Sequence, residues 1–127
     1  MKSLSLIALA ALSLSGTAMA QPSDTITVRA ADPFAAAAIQ GGDYARAEAL
    51  LNARHFDRDD PVRLLNLGAV YWNTGRHDAA VAAWRQALAS PVQYDVTTAG
   101  GRMRSTDELA REALAAAAGR PIMTASR

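Results

Sequence analysis

Arg76-His77-Asp78 is the stretch whose residue types come nearest to an active site. A histidine beside an aspartate could pass a proton, and the arginine could hold an anion. Adjacent residues on a helix do not face each other, however, and "GRHDAAVAAW" reads as a helix start. His77 is therefore expected to fill space as an aromatic ring would. Asp78 is expected as a solvated first-turn acid that suits the positive end of the helix dipole. The second histidine, His55, lies in "NARHFDRDDP". Asp57, Asp59 and Asp60 begin like a calcium loop, but the central glycine and closing glutamate of such a loop are missing. Asp60 is better placed as a helix cap ahead of Pro61. A metal shared by His55 and His77 has no third ligand supplied by spacing.

The hydroxyl side chains Ser90, Thr97, Thr98 and Ser105 have no strained turn around them of the kind that exposes a nucleophile. Only three glutamates exist, and Glu108 is assigned to a helix start. The two Gly-Gly pairs lack the lysine and the strand–helix setting of a phosphate loop. No catalytic residue, no metal and no cofactor is expected.

The elements that carry these residues belong to a chain of 127 residues, enough for one small domain. It opens with "MKSLSLIALAALSLSGTAMA": a positive Lys2, an apolar run too short to span a bilayer, a break at Ser15-Gly16, and small residues at Ala18 and Ala20. Residues 1–20 read as a cleavable secretory signal, and residues 21–31 as a flexible polar leader with a weak strand pattern in "TITVRA". The expected location is the periplasm, with no stable membrane insertion after cleavage. Lys2 is the only lysine. The other 12 of the 13 basic residues are arginines, facing 12 acidic ones, which argues against steering to nucleic acid or an anionic membrane. No cysteine is present, so neither a lipid anchor nor a disulfide is available, and the fold must rest on its apolar core.

From residue 32 the pattern is helical. Asp32-Pro33 and Asp60-Pro61 are helix starts. "PFAAAAIQ" ends at Gly41-Gly42. "DYARAEALLNA" follows, with Tyr44, Ala47, Leu50 and Leu51 on one face. A third helix carries the stripe Leu64, Leu67, Gly68 and Tyr71 and stops at Thr74-Gly75. A fourth, to about Ala89, has Ala80, Trp84, Ala87 and Leu88 inward. Tyr94, Val96, Gly100-Gly101 and Met103 read as a hairpin over 92–104. Ser105 and Glu108 form a capping box that opens a last helix over 105–118, with Leu109, Ala113, Ala116 and Ala117 inward and a tail from 119 to 127.

Two of these segments repeat. "GDYARAEALL" starts at Gly42 and "GRHDAAVAAW" starts 33 residues later at Gly75, close to the ~34-residue period of tetratricopeptide repeats. In the second unit Leu64, Leu67, Gly68, Tyr71, Ala80, Trp84 and Ala87 fall where that family asks for large, leucine, small, aromatic, small, aromatic and small residues. Residues 61–91 thus resemble a tetratricopeptide repeat. The first unit fits only in its second helix. The resemblance implies an all-α array of about one and a half repeats over residues 32–118, ended by a capping helix and interrupted by a small β-hairpin.

The resemblance also implies a function. The first helix of each pair in such arrays lines a concave groove, which here means Leu65, Asn66, Ala69, Trp72 and Asn73; the alternative for Trp72 is burial under the short first helix or the capping helix. The expectation is a non-catalytic module that binds another protein or a peptide in the periplasm or envelope. Fewer than three repeats bury too little on their own, so self-association as a structural accessory of the envelope is the alternative.

Overall fold

Proline and glycine set the helix boundaries. The computed structural model describes residues 33–53 and 57–119. Its helices are α1 (Pro33–Gln40), α2 (Tyr44–Leu51), α3 (Pro61–Asn73), α4 (His77–Leu88) and, after strands β1 (Asp95–Thr97) and β2 (Met103–Ser105), α5 (Thr106–Ala118). The protein is mostly helical with one small two-stranded antiparallel sheet. The expected signal, leader and "TITVRA" strand, Asp32, His55 and residues 120–127 lie outside the described residues.

The two helical hairpins are turned by the same device. After α1, Gly42 takes φ +76° and the amide of Asp43 reaches back to the carbonyl of Ala38 at 2.8 Å. After α3, Gly75 takes φ +79° and the amide of Arg76 reaches back to the carbonyl of Tyr71 at 2.8 Å. Each glycine is the left-handed residue that closes a helix end and satisfies its last carbonyls. The second helix of each pair then starts two residues after its glycine, at Tyr44 and at His77. Asp43 caps α2 through the amide of Arg46 (3.2 Å), and Asp60 caps α3 through the amide of Val62 (2.9 Å).

Helix α3 is the shared centre. It is buried on nearly every side, which is why its sequence is apolar all round rather than along one stripe. Leu67 and Val70 join Ala35, Ala38, Ile39, Ala47 and Leu51 in one core with the first hairpin. Val62, Leu65, Ala69 and Trp72 join Ala80, Trp84 and Ala87 of α4, Val96 of β1 and Leu109, Ala110 and Ala113 of α5 in the other. Gly68 lets α3 and α4 close up: its Cα faces the edge of the Trp84 indole, whose Nε1 donates to the Leu65 carbonyl at 3.3 Å.

The hairpin pairs Asp95 with Ser105, Val96 with Arg104 and Thr97 with Met103. Only Val96 of its apolar residues points inward; Tyr94, expected beside it, is half exposed. Of the two turn glycines, Gly101 alone takes a positive φ.

The capping box at the start of α5 does not form as the sequence suggests. Ser105 is the N-cap residue, but its hydroxyl donates to Asp107 and accepts no helix amide. Glu108 turns to the guanidinium of Arg104 on β2 (3.3 Å), a full charge that competes better than a backbone amide. The buried anchor is Thr106. Its amide donates to the Tyr94 carbonyl (2.9 Å), and its hydroxyl accepts the Tyr94 amide (3.0 Å) and donates to Gln93. The inward face of α5 is also rotated from the expectation. Ala110 is buried and Ala116 is exposed, because α5 lies against α3 as well as α4 and needs a wider contact band.

Candidate functional site

The face of α3 expected to line an open groove is the inside of the molecule. Leu65, Asn66 and Ala69 have no exposed surface and Trp72 keeps 5% of its own. Asn73 is half-buried, and its amide donates to the Ala69 carbonyl one turn back at 2.9 Å. The reason is α5. Leu109, Ala110 and Ala113 pack into the same core as Leu65, Ala69 and Trp72, so the terminal helix occupies the space a partner was expected to fill. Trp72 lies 4.3 Å, ring centre to ring centre, from His77 and 5.7 Å from Trp84. His77 is an exposed lid on that stack, and Asp78 next to it is solvated. The three acids of the turn before α3 are all engaged. Asp57 accepts the Asp59 amide (3.2 Å), Asp59 accepts Gln86 Nε2 (2.9 Å), and Asp60 caps the helix.

The open site lies on the other side of the same helix pair. Helices α1 and α2 have 8 residues each, whereas α3 and α4 have 13 and 12. At ~1.5 Å per residue an 8-residue helix is about 12 Å long, too short to run the length of its neighbours. Where α2 ends at Asn52 and Ala53, a trough of about 960 Å³ opens between α2, α3 and α4. That is at the large end of the range for ligand sites.

Helical spacing builds its walls. Leu64, Leu67 and Tyr71 stand three and four apart on α3. Ala79, Ala82, Ala83 and Gln86 do the same on α4. The floor is therefore apolar: Leu64, Leu67 and Ala83 are buried at its base, and Ala79, Ala82 and half-buried Tyr71 present its open surface. One end is polar: Asn52, Arg58, Arg63 and Gln86. Arg63 is fixed there. Its Nε donates to the Leu51 carbonyl at 2.7 Å, its Nη1 to the Arg58 carbonyl at 3.1 Å and its Nη2 to Asn52 Oδ1 at 2.8 Å. This satisfies the Leu51 carbonyl at the C-terminus of α2, where a cation is also favoured by the helix dipole. Beside Tyr71, Arg76 grips both oxygens of Glu48 (3.0 and 2.7 Å), with its guanidinium carbon 4.6 Å from the centre of the tyrosine ring. The Arg76 hydrogen bonds hold the Glu48 carboxyl below the usual carboxylate range against the opposing effect of burial.

Among the described residues, the trough offers guanidinium, amide and phenol groups over a hydrocarbon floor. Such a lining can desolvate an apolar stripe and donate hydrogen bonds at one end. The helical stripe marks Leu64, Leu67 and Tyr71 as frame only, and no motif singles out Asn52, Arg63, Ala82 or Gln86. The available signal was the mismatch between the short "PFAAAAIQ" helix and the longer pair that follows.

No family model, no curated protein and no solved structure matches the chain. Among the described residues, no helix is long and apolar enough to cross a membrane.

Proposed function

We propose that this is a non-catalytic, tetratricopeptide-like module of the periplasm or cell envelope that binds a peptide segment of another protein. The observation that carries the reading is the trough: an open, low-floored channel between helices with its polar groups gathered at one end. A helix or extended segment can lay an apolar stripe on such a floor. The repeat reading draws on the Gly68–Trp84 approach and on the two glycine-closed turns one repeat length apart. The seat of binding moves from the Leu65–Trp72 face, which α5 fills, to the exposed Ala79, Ala82 and Gln86 of α4 beside half-buried Tyr71.

A photo-cross-linking amino acid placed at Ala82 in the trough, compared with one at exposed Ala115 on α5, tests this in intact cells. A discrete adduct from Ala82, absent from Ala115 and removed by Ala79→Arg, is the expected result. The same adducts from both positions would reject the trough as the seat.

A second reading, self-association as a structural accessory, draws on Val92, Tyr94 and Met103, three large apolar side chains exposed on and beside the hairpin. Sedimentation at micromolar concentration decides it. The reading holds if a dimer or larger species forms and Met103→Ser returns it to monomer, and it ends with a strict monomer.

A further inference from the structure

We draw no further inference here: the strongest candidate, the trough between the end of α2 and the helix pair α3 and α4, keeps Leu64 and Leu67 buried beneath exposed Ala79 and Ala82, and nothing in the structure shows what covers it.

Discussion

Gly68 and Trp84 are in direct contact across α3 and α4: a Cβ added to Gly68 would lie 2.1 Å from the indole Nε1 and 2.5 Å from Cδ1. Non-bonded contacts of a real Cβ essentially never fall below 3.0 Å. The indole is fully buried and has no room to retreat. Gly68→Ala must therefore force the helices apart or break the Trp84–Leu65 hydrogen bond. Overpacking of this kind costs about 1–3 kcal/mol, and the lost bond adds about 1 kcal/mol. Alanine's helix preference returns about 1 kcal/mol. The expected net loss of about 1–3 kcal/mol corresponds to a melting temperature lower by several degrees in thermal circular dichroism. An unchanged melting temperature would remove the close approach as the basis of the hairpin.

Trp72→Ala should cost far more than a groove residue would. Trp72 is enclosed by the chain itself, between His77 and Trp84 and in one core with α5. Truncating a buried tryptophan costs about 3–5 kcal/mol, a large part of the stability of a domain this size. Urea unfolding should show the midpoint fall sharply or the cooperative transition disappear. A folded Trp72→Ala protein with unchanged midpoint would mean that the Leu65–Trp72 face is a groove after all.

The difference between those two tryptophans shows what the sequence reveals. Trp84 was legible as core because Gly68 and Ala80 mark a close helix crossing by their size, and both are local signals. The boundaries at Asp43, Asp60, Gly42 and Gly75 were legible for the same reason: each is fixed by its own residue's backbone preference or short side chain. For Trp72 the sequence left groove and burial equally open, because what buries it comes from α5, more than thirty residues away. The stripe of α5 cannot state which two helices it will wedge between. The capping box failed for a nearer reason: Arg104, four residues before Glu108, takes that carboxylate and Glu112 with it from its place on β2. The trough is a consequence of unequal helix lengths, which can be read, and of their relative placement, which cannot.

The Glu48–Arg76 pair should give α2 and α4 a small acid-sensitive link. The folded state lowers the Glu48 carboxyl below its ordinary value of 4.5, chiefly through its hydrogen bonds to Arg76. A depressed carboxyl stabilises the fold fully above its unfolded pKa and loses that contribution as pH falls through the lower folded value. Wild type should therefore exceed Glu48→Gln in stability at pH 7, and the gap should close as pH falls from about 5 toward 2. Denaturant titrations of both proteins at three pH values measure it. A gap that does not change with pH would show that Glu48 acts by packing alone.

Thr106, and not the N-cap Ser105, should hold the hairpin to α5. The Thr106 hydroxyl is buried, accepts the Tyr94 amide at 3.0 Å and donates to Gln93, whose own Nε2 donates to the carbonyls of Ala87 (3.3 Å) and Ser90 (2.9 Å). One side chain thus links the hairpin, the start of α5 and the end of α4. Thr106→Val keeps the shape, removes the hydroxyl and leaves the Tyr94 amide without that acceptor, at a cost of about 1–3 kcal/mol. Ser105→Ala removes only a hydroxyl bonded to a neighbouring carboxylate in a partly open position, within the ~0.5 kcal/mol typical of surface changes. Hydrogen exchange across residues 94–105 should accelerate strongly in Thr106→Val and little in Ser105→Ala. The reverse order would restore the serine cap as the anchor, because only a hydroxyl that holds helix amides could then explain the loss of protection.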